Sequence, residues 1–314
     1  MTNHLYIDPF SGIAGDMFLG AMVDLGVDLD AVRSALAALP VERPYEITTD
    51  RVQRHGIGAV DLKVKLLDEA APAKHEDTHS QSHHHGHPHH HEHEHNHHHA
   101  DEHGHSHTYT HDHDHGHHHH HTGYRDIMSM VEQLDTTPRG RSRAAAVVTA
   151  LAEAESRVHA KPLDEIHFHE VGAVDSIVDM LGSVVALELL EIDKLSCGVL
   201  PMSAGFVHCD HGLMPVPAPA TAYLLEGLPT LGVDRRGELV TPTGAALVKA
   251  LCTSFGPPPA MTVRGVGYGA GDRRDPKVPN LLRLFRGEVN TSGSLGPIDT
   301  TAVQASPHSL AAAD

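Results

Sequence analysis

The alternation of hydrophobic and polar positions predicts short strands interleaved with helices along the first part of the chain. Residues 5–7 are apolar, as in a buried strand, and the apolar residues of 17–25 recur at helical spacing. A second helix is predicted after Asp28, whose carboxylate can cap it. Residues 45–53 and 59–67 predict a hairpin, because apolar and polar side chains alternate along its second arm.

The rest of the chain predicts longer helices, short strands and a glycine-rich loop. The predicted elements are helices at 124–134, at 138–158 and from Asp175, the last with Ile177, Val178, Leu181, Val184, Val185 and Leu189 on its buried face; a β-like stretch at 166–170; short strands within 197–217; helices at 220–225 and from Thr241; a glycine-rich loop at 265–272; and a closing strand at 281–285. This mixture of hairpins and helices predicts an α+β fold and not a doubly wound sheet.

A histidine-rich segment interrupts this pattern directly after the hairpin. Residues 75–121 contain 25 His and eight acidic residues but no Lys or Arg. A segment with almost no apolar side chains cannot join a core, so we predict a disordered insertion. Neutral imidazole binds divalent transition metals, and we predict that this segment binds Ni²⁺, Zn²⁺, Co²⁺ or Cu²⁺. The alternatives are a purification tag or low-complexity sequence without a function. The segment is internal, irregular and mixed with Asp, Glu, Gly and Ser, which argues against a tag. Its predicted ligands include His83, His84, His85, His117, His118 and His119.

The predicted domain organisation follows from these segments. We expect residues 1–74 and 122–287 to form one core, or two subdomains, with a disordered tail at 288–314. The net charge of −18, with no basic cluster, argues against nucleic acid and anionic membrane surfaces as partners. Three cysteines without a close pair, no signal-peptide pattern and no apolar run of membrane-spanning length predict a soluble cytoplasmic protein.

The sequence His167-Phe168-His169-Glu170 is the sharpest candidate site outside that segment. In an extended chain His167 and His169 point to the same face, which suits two imidazoles on one metal ion. Asp175 and Asp179, one helical turn apart, could supply carboxylates nearby. The alternative is a surface strand end with two hydrogen-bonded histidines.

Two further loops carry candidate residues. Cys209 and His211 offer a thiolate and an imidazole within a loop bounded by Gly and Pro, although a buried structural cysteine is the commoner case. Residues 11–16 lead directly into a helix N-terminus, where free N–H groups favour phosphate or carboxylate. Ser11, Gly12, Gly15 and Asp16 are therefore predicted to bind a cofactor or substrate, although such loops are more often simple turns. Neither this loop nor 265–271 has the features of a Walker or dinucleotide-binding loop.

Six motifs in one order resemble a single protein family. They are YIDPFSGIAGDM at 6–17, HFHEVGAVDS at 167–176, CDHG at 209–212, PVPAPAT at 215–221, LVTPTGAA at 239–246 and GVGYGAG at 265–271, the last followed by PN at 279–280. Together they resemble the LarC family, the nickel insertion proteins of nickel-pincer cofactor biosynthesis. The likeness extends from residue 5 to about residue 287, and members of that family also carry a histidine-rich insertion after the first hairpin.

The resemblance implies a reaction. A family member inserts Ni²⁺ into pyridinium-3,5-bisthiocarboxylic acid mononucleotide, as a lyase-class cyclometallase that uses CTP with Mg²⁺ or Mn²⁺. The product holds nickel through two sulfurs and a ring carbon and serves lactate racemase and related apoenzymes. Because a carbon–metal bond forms, a base must take the ring proton. The resemblance implies that His167, His169 and Glu170 bind nickel or take that proton. From residue type we predict Cys209 or His211 as a further nickel ligand.

One departure from the family pattern affects this interpretation. Full-length members continue into a C-terminal domain to which CTP binding is attributed, whereas here low-complexity sequence follows the last motif. We therefore expect CTP binding to require a second domain, supplied as a separate chain or missing here, and we expect a homo-oligomer. The hypothesis from another class is a nickel or zinc storage protein that acts through its histidine-rich segment and needs no substrate pocket.

Overall fold

The computed structural model describes residues 1–67, 122–168, 173–209 and 212–289. They belong to one compact unit, Met1–Asp68 with His121–Asp314; the other unit, Glu69–His120, lies outside the described residues, and so does all of the histidine-rich insertion predicted at 75–121. The elements are β1 (Thr2–Asp8), α1 (Gly15–Asp24), α2 (Leu29–Leu36), β2 (Tyr45–Arg54), β3 (Ile57–Leu66), α3 (Tyr124–Gln133), α4 (Pro138–His159), a 3-10 turn (Leu163–Glu165), α5 (Val174–Leu189), β4 (Lys194–Cys197), β5 (Leu200–Ala204), β6 (Phe206–Cys209), β7 (Gly212–Pro215), α6 (Pro219–Leu224), β8 (Thr230–Arg236), α7 (Pro242–Leu251), β9 (Cys252–Phe255), β10 (Thr262–Ala270) and β11 (Leu281–Val289). The α+β prediction is confirmed.

A seven-stranded mixed sheet organises the unit, in the order β2-β3-β10-β11-β1-β4-β9. β1 pairs with β11 antiparallel and with β4 parallel, and β4 in turn pairs with β9 in parallel. Two small pairs, β5 with β8 and β6 with β7, stand apart from this sheet. Because β1 is central, the loop that follows it leaves the middle of the sheet and leads directly into α1.

Helices cover the sheet and enclose the core. α1 packs on β3, β10 and β11 and also contacts α5, which in turn contacts α4 and α7. Apolar side chains at helical spacing line these contacts, and Phe18, Leu181 and Val184 are fully buried. No helix among the described residues is long and apolar enough to cross a membrane.

Local signals set several helix ends where the sequence predicts them. Asp28 caps α2 by accepting a hydrogen bond of 3.0 Å from the N–H of Asp30. Thr241 caps α7 by accepting from the N–H of Gly244 at 3.2 Å, and Pro242 occupies the first turn. The hairpin prediction is also confirmed, because β2 and β3 pair in register from Tyr45 with Leu66 to Arg54 with Ile57.

The glycine-rich loop predicted at 265–272 is wrong, since residues 265–270 belong to strand β10. The glycines are there because α1 crosses the strand at backbone distance. A Cβ on Gly269 would lie 1.8 Å from the carbonyl oxygen of Met17, and one on Gly267 would lie 2.2 Å from that of Ala21. Composition alone indicates a loop, but the close helix contact requires glycine in a strand.

Two smaller predictions need correction. Leu189, predicted on the buried face of α5, is 46% exposed, because it is the last residue of the helix, next to the turn at Leu190. The disordered tail predicted from 288 is wrong for its first two residues, since Glu288 pairs with Asn3 in the sheet and β11 ends at Val289. The β-like stretch predicted at 166–170 is described as far as residue 168, and there His167 forms an antiparallel bridge with Gly123.

Candidate functional site

The N-termini of three helices meet at one cleft of about 450 Å³. Ala14, Gly15 and Asp16 at the start of α1, Asp175 and Ser176 in the first turn of α5, and Thr241, Pro242 and Thr243 at the start of α7 line one side. Lys63 from β3 and Asp272 after β10 line the other, and Asp179 comes from the second turn of α5. Helix N-termini carry partial positive charge, which acts in this cleft together with the carboxylates that line it.

The helix starts are held together by close backbone packing. Gly15 has no room for a side chain, because a Cβ there would lie 2.7 Å from the Cβ of Asp179. Its N–H donates to Thr243 Oγ1 at 3.3 Å, which ties α1 to α7. Gly244 allows α7 to lie equally close to the segment before α1, since a Cβ on Gly244 would lie 2.4 Å from the carbonyl oxygen of Ile13.

One lysine lies among the carboxylates of the cleft. Lys63 Nζ is 2.6 Å from Asp272 Oδ1, 2.9 Å from Asp61 Oδ1 and 3.8 Å from Asp16 Oδ2. Asp61 also pairs with Arg54 at 2.9 Å. Asp272 and Asp61 therefore already take up the charge of Lys63, and the carboxylates outnumber the cations around the cleft.

The environment raises the pKa of two carboxyls that line the cleft, those of Asp16 and Asp179. Burial raises the pKa of Asp16 to about 6, although the Lys63 charge and a hydrogen bond from the Met17 N–H act in the opposite direction. Burial, with the neighbouring charges of Asp16 and Asp175, raises the pKa of Asp179 well above its ordinary value. Burial favours the neutral amine of Lys63, but hydrogen bonds to Asp272 and Asp61 outweigh it, so the pKa of Lys63 is raised.

Asp179 has an unsatisfied polar atom at this site. Its Oδ1 is buried and has no hydrogen-bond partner among the described residues, while the N–H of Asp16 donates to its carboxyl group. A buried oxygen without a partner costs on the order of 1–3 kcal/mol, so it indicates a place where a ligand or proton is accommodated.

The predicted loop at 11–16 divides into two parts. Gly15 and Asp16 line the cleft. Ser11 is only 1% exposed, and its hydroxyl accepts a hydrogen bond of 2.8 Å from Arg235. Gly12 has a φ of +113° and packs against Leu239, because a Cβ on Gly12 would lie 1.9 Å from the Leu239 carbonyl oxygen. Neither Ser11 nor Gly12 is among the residues that line the cleft. Whether Gly15 and Asp16 bind a cofactor stays a prediction.

The predicted metal ligands are only partly visible. His167 is exposed and forms the bridge to Gly123, and it is not among the residues that line the cleft. Cys209 is the last residue of β6, and nothing is described of its side chain. The other predicted ligands and bases lie outside the described residues: His169, Glu170, His211, His83, His84, His85, His117, His118 and His119. Within residues 1–67, 122–168, 173–209 and 212–289, no group of three His, Cys, Asp or Glu side chains is arranged to hold a metal ion.

Sequence reasoning found some of the cleft and missed the rest. It named Asp175 and Asp179 as carboxylates near the 167–170 motif, and the structure instead brings them to Asp16. It treated Lys63 as a polar position of an alternating strand and did not single out Asp272. A lysine at a central position of strand β3 could have indicated a site beside the start of α1. The local sequence does not show that β3 and α1 are neighbours, and only the sheet order places Lys63 next to that helix start.

Comparisons with known proteins agree on one family. A family model described as nickel insertion protein matches residues 5–306. The chain is 40% identical over 283 residues to a protein of Citrifermentans bemidjiense, covering 90% of this chain and 61% of that one. It is 41% identical to a protein of Geobacter metallireducens, with 91% and 61% covered, and 38% identical to one of Wolinella succinogenes, with 98% and 66% covered. Each relative is described as a candidate nickel insertion protein. The chain thus spans about three fifths of the length of the first of these relatives. No solved structure matches it.

Proposed function

This chain belongs to the nickel insertion protein family, and we propose that its cleft binds the organic substrate into which Ni²⁺ is inserted. The proposed substrate is pyridinium-3,5-bisthiocarboxylic acid mononucleotide, and the product is the nickel-pincer cofactor. The observation that carries the proposal is the convergence at the cleft of four of the six family-like motifs. Residues 14–16, 175–176, 241–243 and 272 come from or directly follow motifs that are far apart in sequence.

The charges of the cleft are compatible with such a substrate. Carboxylates in excess over Lys63 favour a cationic pyridinium ring and a divalent metal ion close by. The partial positive charge of the three helix N-termini favours the phosphate of the mononucleotide. A single site thus provides negative charge for the ring and the nickel, and positive dipole ends for the phosphate.

We propose that nickel itself is held by the 167–170 motif, with Cys209 and His211 as further ligands. His167 and His169 supply two imidazoles, and Glu170 a carboxylate, a few residues before α5, whose first turn lines the cleft. Imidazole and thiolate are ligands that suit Ni²⁺, and nickel is here the substrate, not a resident cofactor. This assignment rests on residue type and sequence position.

The cleft suits a nucleoside triphosphate less well than a mononucleotide. A nucleoside triphosphate carries several negative charges, and the described residues would oppose it with Asp16, Asp175, Asp179 and Asp272. Among the residues that the structure describes, Lys63 is the only cationic side chain lining the cleft, and that lysine is already paired with Asp61 and Asp272. We therefore propose that CTP, with Mg²⁺ or Mn²⁺, acts in a second part of the protein or a separate chain, and that the product passes to a lactate racemase-type apoenzyme.

An insertion assay with a blocked cleft tests the proposal. The chain is incubated with Ni²⁺, the pyridinium substrate, CTP, Mg²⁺ and the separately produced C-terminal part of a family member, and the nickel-bearing product is measured by mass spectrometry. We expect product from this mixture and none from this chain without the C-terminal part. Ser176→Phe, which fills the cleft at the first turn of α5, should abolish it. Ser34→Phe, on the exposed side of α2, is the matched control and should leave it unchanged. Equal product from both variants would place the substrate elsewhere.

Storage of nickel or zinc is the second candidate function, and the composition of residues 75–121 favours it. With 25 histidines this segment can bind several ions without any cleft. The two functions differ in one measurement, which is binding of the pyridinium substrate to the chain lacking 75–121. A storage protein would not bind it, whereas the insertion reaction requires that it does.

A further inference from the structure

The Asp16 and Asp179 carboxyl groups form a pair at the base of the cleft. The N–H of Asp16 donates to the Asp179 carboxyl, and both side chains line the same cavity. Burial and the neighbouring charge of Asp16 raise the pKa of Asp179, which favours its protonated form. Asp179 is the deeper of the two, and its Oδ1 has no partner among the described residues that would stabilise a negative charge.

Asp16 is the member of the pair that can act as a base. Its Oδ1 accepts the Met17 N–H at 2.7 Å, which fixes the side chain. Its Oδ2 lies 3.8 Å from Lys63 Nζ, beyond hydrogen-bond distance, so this oxygen is available to a substrate. The charge of Lys63 still favours the ionised form at that distance.

From this geometry we propose that Asp16 Oδ2 is the base that removes the proton from the substrate carbon at which nickel is inserted, with Asp179 as its protonated partner. The inference rests on the proposed function. In this step the C–H bond breaks, its electron pair forms the carbon–nickel bond, and the proton moves to Asp16. Nickel remains Ni²⁺, so no oxidant or reductant is needed. The 167–170 motif is then left for metal binding alone.

The charged groups that face the pair determine its pH dependence. They are Lys63 and Asp61 from β3, Asp272 after β10 and Asp175 from α5. The threonines of α7 add only neutral hydroxyls. Since burial holds the pKa of Asp16 at about 6, the base is largely ionised at neutral pH yet remains close enough to that pH to accept a proton. The rate of insertion should therefore fall as the pH drops through about 6.

The pH profile of insertion in the reconstituted assay, under single-turnover conditions, tests this assignment. Asp16→Asn should lower the rate at least 100-fold and remove the acid limb, which is the usual range for loss of a general base. Asp16→Glu should restore part of the rate. Asp179→Asn, a neutral side chain that still donates hydrogen bonds, should lower the rate by less than Asp16→Asn does. Asp30→Asn, on an exposed turn of α2, is the control for loss of one carboxylate.

A second measurement separates the base from the proposed function. Carbon-13 NMR titration of the side-chain carboxyls of the unliganded chain, with the Asp16 signal identified from its loss in Asp16→Asn, should give a midpoint near 6. A midpoint below about 4.5 would overturn the inference whatever the activity. Insertion by Asp16→Asn within about threefold of the wild-type rate, with the acid limb intact, would also overturn it and leave the proposed function standing. Absence of insertion by the wild-type mixture would overturn both.

Discussion

Replacement of Asp16 by Asn should change how the stability of the protein depends on pH. Asp16 is 26% exposed in its side chain, and burial raises the pKa of its carboxyl from the ordinary 3.8 to about 6. In the unfolded chain the same group returns to its ordinary value. Between these two pKa values the folded state binds more protons than the unfolded state, so the free energy of unfolding must fall as the pH rises.

The size of the effect follows from the two pKa values. Each pKa unit corresponds to about 1.4 kcal/mol, so the ionised carboxyl destabilises the folded state by about 3 kcal/mol above pH 6. Below about pH 4 the group is neutral in both states and the cost is absent. Asn is neutral throughout, so Asp16→Asn should gain about 2–3 kcal/mol relative to the wild type between pH 4 and pH 7.

Urea unfolding at pH 4, 5, 6 and 7 measures this difference. A chelator is present, so that metal bound by the histidines does not contribute. The 33 histidines titrate in both proteins and cancel in the comparison, which leaves the contribution of Asp16. Asp30→Asn, at an exposed carboxylate that pairs with Arg33, is the control for removal of one carboxylate away from the cleft.

The reasoning is refuted if the stability difference between Asp16→Asn and the wild type changes by less than about 0.5 kcal/mol over this range. It is also refuted if the difference changes in the opposite direction, because that would mean a lowered pKa. A gain in stability together with a loss of insertion would indicate that the buried charge is retained for function.

Three other changes have definite expected outcomes. Gly269→Ala should lower the free energy of unfolding by at least about 2 kcal/mol, because α1 would have to move off β10, whereas Gly232→Ala, with open space around it, should stay within about 0.5 kcal/mol; equal melting temperatures would contradict this packing. Deletion of 75–121 should remove most bound nickel, measured by atomic emission, and leave the metal-free melting temperature unchanged; a large loss of stability would show a structural role. In that shortened chain, His167→Ala with His169→Ala should abolish the remaining tight nickel binding in calorimetry without unfolding the protein, since His167 is exposed; tight binding in the double variant would contradict the ligand assignment.

The sequence by itself determined the elements whose signals are local. Asp28 and Thr241 cap their helices through atoms two or three residues away, so the residues near the helix start suffice to predict it. The β2–β3 hairpin was equally predictable, because alternation fixes which side chains face the core. The order of six motifs was enough to indicate the family, which the comparisons then bore out.

Only the tertiary structure decided the site. Asp16, Lys63, Asp179 and Asp272 are each unremarkable in their local sequence, and they meet because β1 is central in the sheet and α1 crosses β10 at its glycines. The raised pKa of Asp16 depends on burial by elements more than forty positions away in the chain. Periodicity and capping extend over a few residues, whereas burial, charge pairing and the convergence of helix ends depend on contacts between distant segments, which no local pattern specifies.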